Sequence, residues 1–365
     1  MRAQLIHFIK KTYPKSPFSA SVIGWFVIFG YISTLALYAY TFSSYAISST
    51  DFADNLWARK VIAIGVIALF TLINVWSVNG MGKIEDLMVY TKLIVLAIIS
   101  VVLMQHGTTD FSTFIDNIAL ESKNITVLSI MIVASLTFVA YEGFQLVINA
   151  VNEMKKPEKN IPRAIYSAIT LAILIYVVMA MGALFAIPTE EIIKNKEYAL
   201  AAGAGNVFGS LGTNFVIVGA LLASSSAISG TVFGSSRQMA VIASDGYFPK
   251  WLGIRKNNSP QNAIIAMAAM ASLLIIIGGL ELILEFGSIT FLLVSLLMAI
   301  ANFKLRKQTN SSSVVTLLSI LGLSIGGILI LYYEFTNKWE QMLSIIVLYG
   351  VLALGAWLFS KRNKV

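Results

Sequence analysis

Ten stretches of the chain run almost without charge, at about 19–47, 61–78, 86–104, 125–151, 164–187, 214–242, 263–279, 282–301, 313–333 and 342–360. A helix needs roughly 20 mostly apolar residues to cross the hydrocarbon core of a bilayer. The pattern therefore predicts an all-α polytopic membrane protein with ten transmembrane helices. Only Gly278-Gly279-Leu280-Glu281 separates the seventh stretch from the eighth, which predicts a tight reversal. The longest interval, about residues 188–213, has room for a short surface helix. No interval is long enough for a separate water-soluble domain, so residues 1–365 read as one transmembrane domain whose function resides in the helix bundle.

Polar residues inside the apolar runs are the candidates for that function. In FVAYEGFQLVINAVNEM, Phe138 to Met154, Glu142 and Gly143 stand side by side in mid-run. A carboxylate there costs a few kcal/mol unless it faces protein or a water-filled cavity, and glycine weakens a helix by about 1 kcal/mol relative to alanine. With Gln145 and Asn149 following, two readings fit. In one, the helix breaks in mid-membrane, where irregular backbone is tolerated only if it lines a cavity or is buried in protein. In the other, the helix continues, Gly143 is a packing point and Glu142 pairs with a neighbour.

Lys92 lies about six residues beyond Asp86 in DLMVYTKLIVLAII, roughly 9 Å into its span at 1.5 Å per residue. It either snorkels back to the surface or points inward, where burial would let it exchange protons. The run SSSAISGTVFGSS, residues 224–236, clusters hydroxyls and puts Gly230 and Gly234 at the spacing that lets helices approach closely. The clustered hydroxyls could also ligate a cation, but close packing is the simpler role. Glu281 and Glu285 flank the predicted reversal on the outer side and read as solvated.

Composition agrees with the pattern: 57% of residues are apolar, 12% are charged, and the mean hydropathy is +0.80. The net charge of +8 raises the question of nucleic acid. Sorting the loops by side answers it. One side, with both termini, carries 19 Lys and Arg and the other carries 6, with Lys92 left inside a span. Cytoplasmic loops accumulate Lys and Arg, so both termini are expected in the cytoplasm and the basic charge orients the chain. The first 17 residues lack the small-residue cleavage site of a signal peptide. There are no cysteines, so thiol catalysis and thiolate metal sites are excluded. His7 and His106 fall in an arm and a loop end, with no metal pair. The sequence holds no phosphate loop, GxSxG elbow or HExxH, so an enzyme is not expected, nor a cofactor or metal.

Four runs carry a resemblance to a known family. AYEGFQLVINAVNEMKKPEKNIPRAI, Ala140 to Ile165, resembles the unwound sixth helix and polar tail of the amino acid–polyamine–organocation (APC) transporters, with Asn152, Glu153, Pro157, Asn160, Ile161, Pro162, Arg163 and Ala164 in the tail. SSRQMAVIASDGYFPKWL, from Ser235, is similar to the loop after the eighth helix. FGSITFLLVSLLMAIANFKLRK, from Phe286, resembles the tenth helix, and GWFVIFGYISTLALYAYTFSSY, from Gly24, the third. The resemblance implies the inverted-repeat fold of leucine-transporter type, starting here just before the third helix and so missing helices one and two.

In that family the unwound segments of helices one and six bind the amino acid. The resemblance carries the sixth-helix half onto Phe138, Ala140, Tyr141, Glu142, Gly143 and Phe144, with Tyr31 opposite. It sets Lys92 where some proton-coupled members have a fifth-helix lysine, with Ser225 and Ser226 on the eighth-helix side of the same site. The expected function is secondary active transport of amino acids or related amines across the plasma membrane, coupled to protons. The alternatives are a transport-inactive remnant lacking the first two helices, or an amino acid sensor subunit. The expected partners are the substrate, protons and the lipid bilayer; oligomeric state and substrate identity are left open.

Overall fold

The apolar runs fold as helices in the computed structural model, which describes residue 12 and residues 17–76, 81–107, 110–123, 125–150, 154–256 and 259–362. Among these residues there is no β-strand, only an isolated bridge between Lys256 and Ser259. The helices are α1 (Pro17–Ile47), α2 (Leu56–Trp76), α3 (Met81–Gln105), α4 (Phe111–Ser122), α5 (Val127–Leu136), α6 (Pro157–Ala186), α7 (Thr189–Asn195), α8 (Ala199–Ser244), α9 (Gln261–Ile277), α10 (Leu280–Thr309), α11 (Ser313–Asn337) and α12 (Trp339–Arg362). Two 3-10 turns, Phe138–Tyr141 and Phe144–Ala150, lie between α5 and α6.

Local chemistry sets several boundaries. Pro157 opens α6, where its missing N–H costs nothing. Arg306 and Lys307 sit in the last turn of α10, against the negative end of its dipole. The Ser312 side chain caps α11 by accepting from the Val315 N–H. Gly209, at φ +64° and ψ −156°, breaks α8 into two helical pieces. A side chain in that backbone region would be strained, so the glycine permits the break.

Among the described residues, eight helices are long and apolar enough to cross a membrane. A ninth candidate is the broken pair Val127–Leu136 and Phe138–Ile148, and the run expected at 263–279 forms the 17-residue α9. The structure thus supports eight or nine spans rather than a settled ten. It also adds α4, a helix absent from the sequence reading. Its Phe114 is buried, with its ring 5.1 Å from that of Phe185. Many large apolar side chains on the spans face outward, including Trp76, Leu174, Val177, Leu318 and Val347. Lipid rather than water suits such a surface.

The chain divides into two compact units. One comprises Met1–Ala36, Val127–Glu142 and Thr231–Val365; the other comprises Leu37–Thr126 and Gly143–Gly230. The first is held by small residues and hydroxyls on α1. Ser21 donates to the Ala356 carbonyl at 2.7 Å, and Ser33 donates to the Ile283 carbonyl at 2.6 Å. Trp25 stacks on Phe248 with centroids 4.5 Å apart and donates its indole N–H to the Tyr247 carbonyl at 2.8 Å. In the second unit, Val95, Ile99, Leu103, Ala186, Ile187, Ala201, Ala204 and Val216 form the core. Arg59, buried there, pairs with Glu197 at 3.3 Å and donates to the Ala53 carbonyl, so its charge is met on both sides.

Gly287 marks a close approach of α1, α10 and the first 3-10 turn. A Cβ there would lie 2.8 Å from Ser33 Oγ and 3.2 Å from Val139 Cγ2. Overpacking of this kind costs about 1–3 kcal/mol. Gly287→Ala should lower the melting temperature in detergent, whereas Gly65→Ala, in open space, should leave it unchanged or raise it.

Candidate functional site

The α5 ladder ends where the sequence raised its question. The Thr137 N–H makes a last helical bond to the Val133 carbonyl at 3.0 Å, and the chain then tightens into Phe138–Tyr141. Glu142 is extended at φ −91° and ψ 156°, and Gly143 takes φ +117°. Only glycine enters that region without strain. The segments on either side of the break differ in direction by 62°. Of the two readings left open by the sequence, the broken helix is the one present.

A break in an apolar span leaves backbone groups that need partners. Ser288 of α10 supplies them. Its hydroxyl, fully buried, donates to the Leu136 carbonyl at 2.6 Å and accepts from the Val139 N–H at 3.2 Å. Seven residues further along α10, on the same face, Ser295 donates to Glu142 Oε1 at 3.4 Å. Beyond the break, the Gly143 N–H donates to Gln145 Oε1 at 3.1 Å, and the Leu146 N–H to the Gly143 carbonyl at 2.9 Å. The irregular backbone is therefore built, with bonding partners on each side.

Within the first unit, Tyr31 is buried and meets Phe291 edge-to-face with centroids 5.5 Å apart. Phe138 and Glu142 are half-buried, whereas Ala140 and Tyr141 are exposed. In the second unit, Gly143 and Phe144 are half-buried. Asn152 and Glu153 lie outside the described residues, as does the side chain of Asn149.

The second unit also holds the Lys92 cluster. Gly219 of α8 lies against Val95 and Ile99 of α3, so the two helices pack closely. That contact brings Lys92 Nζ to 3.5 Å from Ser226 Oγ. Ser226 is buried, and its neighbour Ser225 is half-buried. Lys92 therefore points toward protein, not only back toward the surface.

A family model for amino acid permeases matches residues 5–352, nearly the whole chain. The chain belongs to the amino acid permease family, within the APC superfamily. An uncharacterized protein of Methanocaldococcus jannaschii is 26% identical over 324 residues, covering 88% of this chain and 72% of that protein. Inner membrane transport protein YbaT of Escherichia coli is 26% identical over 341 residues, covering 91% of this chain and 75% of YbaT. Serine/threonine exchanger SteT of Bacillus subtilis is 25% identical over 253 residues, covering 68% of this chain and 56% of SteT.

This permease-family chain has site-supporting residues that the sequence reading did not single out. Gly287, Ser288 and Ser295 lie inside the quoted α10 run, but serine is common in membrane helices and only its spacing from Gly287 offered a signal. One expectation is corrected. Glu285 is not solvated: it is 3% exposed and bonded to Lys338 at 2.6 Å, because α11 and α12 close over the reversal.

Ser288→Ala would leave the Leu136 carbonyl and the Val139 N–H without their shared partner, a loss of about 1–3 kcal/mol. Thermal melting should fall accordingly, and amide exchange at Val139 should accelerate. Gly143→Ala should also destabilise, by about 1–3 kcal/mol, because alanine is strained at φ +117°.

Proposed function

We propose that this protein moves amino acids or related amines across the plasma membrane by secondary active transport coupled to protons. The observation that carries the reading is the break at 138–143 in an apolar candidate span, where the helix is interrupted and its backbone is bonded from a neighbouring helix. Interrupted helices near the midplane are where secondary transporters hold substrate, because they offer main-chain amides and carbonyls in place of an ordinary helix surface. Membership in the permease family points the same way, as do relatives that include an inner membrane transport protein and a serine/threonine exchanger.

In this reading, the main chain from Ala140 to Phe144 recognises the substrate, with Glu142 and Gly143 at its centre. Phe138, Tyr141 and Tyr31 give side-chain selectivity. Lys92 couples the cycle to protons. It donates to Ser226 when charged, and on losing its proton the amine weakens that bond, so the α3–α8 contact changes with occupancy. Ser225 supports the same contact. Residues 1–365 act as one transmembrane domain with both termini in the cytoplasm, as the distribution of Lys and Arg supports.

The test uses purified protein in liposomes. Radiolabelled amino acids should accumulate when an inward proton gradient is imposed and should not without it. In a coupled carrier, pH changes substrate affinity by roughly 5- to 150-fold. That pH dependence should collapse in Lys92→Met while binding remains. Flux that ignores pH would remove proton coupling from the account. Neither binding nor flux for any amino acid would remove transport itself.

A further inference from the structure

At one end of α10 and α11, a cluster of charges lies outside the site already described. Lys338, between α11 and α12, donates to Glu285 Oε1 at 2.6 Å and to Glu281 Oε2 at 3.1 Å. Burial by itself would lower the Lys338 pKa. The hydrogen bonds to Glu285 and Glu281 outweigh it and hold the ammonium above the ordinary lysine value, so it stays charged. Glu281 is well exposed and also accepts from Gln341 Nε2 at 3.4 Å, so water and two donors serve it. The one ammonium is thus engaged by Glu285 and Glu281.

Glu334 is a third carboxyl, and it is fully buried. No donor reaches either of its oxygens, nor Oε2 of Glu285. Its interacting charges are Glu285, Lys338 and Glu281. Tyr333 lies under Lys338, with the ammonium 6.0 Å from its ring centroid. Tyr349 of α12 is bonded to Thr290 at 2.8 Å. Glu142 is bonded to Ser295, about three turns along α10. Helices α5 and α9 bring no titratable side chain. Among the described residues, no group of three or more acidic, histidine or cysteine side chains has the arrangement to hold a metal ion.

Two buried carboxyls that interact with one another, while the one nearby ammonium is bonded to Glu285 and Glu281, carry an excess negative charge in a medium that tolerates none. One proton removes the excess and turns the contact into an O–H···O bond. We propose that Glu334 and Glu285 hold one exchangeable proton between them, forming a proton-binding site separate from Lys92. The ligand is the proton itself. Bound, it ties α11 to α10; released, it places like charges at their contact. Glu285 lies three residues before Ser288, so the turn of α10 that feels the proton is next to the one that supports the helix break. The site stands whether or not Lys92 is a coupling residue.

Infrared difference spectroscopy of the purified full chain, titrated from acid to alkaline in H2O and D2O, tests this directly. The wild type should show a protonated-carboxyl C=O band that shifts in D2O and persists after the exposed carboxylates have ionised. Glu334→Gln should lose that band, and Glu281→Gln should keep it. Lys338→Met, by removing the ammonium, should add intensity as a second carboxyl takes up a proton. This variant decides the matter if Glu334→Gln does not fold. The proposal fails if the wild type shows no such band, if Glu334→Gln retains it, if Lys338→Met adds none, or if sodium or potassium abolishes it.

Discussion

One hydroxyl holds the described architecture of the broken span together. Ser288 donates to the Leu136 carbonyl and accepts from the Val139 N–H, bonding one group on each side of the point where the α5 ladder stops. In lipid an unpartnered backbone group costs several kcal/mol, so an irregular segment persists only where a neighbour supplies the bonds. Three nearby residues hold α10 in place around that contact. Gly287 lets α10 come close, Ser33 ties α1 to the Ile283 carbonyl one turn away, and Ser295 takes up the Glu142 carboxylate further along the same face.

A general division of labour follows from these interactions. Hydroxyls and glycines fasten helices where the solvent outside is as apolar as the core and hydrophobic burial no longer drives helices together. The bonds donated by Ser21, Trp25, Ser33 and Ser288 all end on backbone carbonyls of other elements in the first unit. The second unit depends more on apolar contact around Leu103, with an ion pair between buried Arg59 and half-buried Glu197. Charges within this framework are few, and each described above has a partner or shares a proton. Lys92 meets Ser226, Glu142 meets Ser295, and Glu285 meets Lys338.

The sequence revealed these features unevenly, for physical reasons. Glu142-Gly143 and Lys92 were legible because a charge or a helix-weakening residue in an apolar run is expensive and has to be answered by structure. The apolar runs themselves gave the all-helical fold, since length and hydropathy alone decide what crosses lipid. Ser288 was not legible: a serine can satisfy its hydroxyl on its own helix, and nothing local says that it reaches another. Glu285 was misread because its position beside a reversal looks exposed until α11 and α12 cover it. Helix α4 escaped notice because its apolar positions are spaced among polar ones, and Gly209 because a single glycine does not announce a break.

The interruption of the span at residues 138–143, held from α10, should persist in lipid. Solid-state NMR of the full chain in a bilayer, with backbone labels from Phe138 to Phe144, reads those torsions directly. Extended shifts at Glu142 and a positive-φ signature at Gly143, flanked by helical shifts at Val127–Leu136, are the predicted result. Uninterrupted α-helical shifts from Val127 through Ile148 would contradict it.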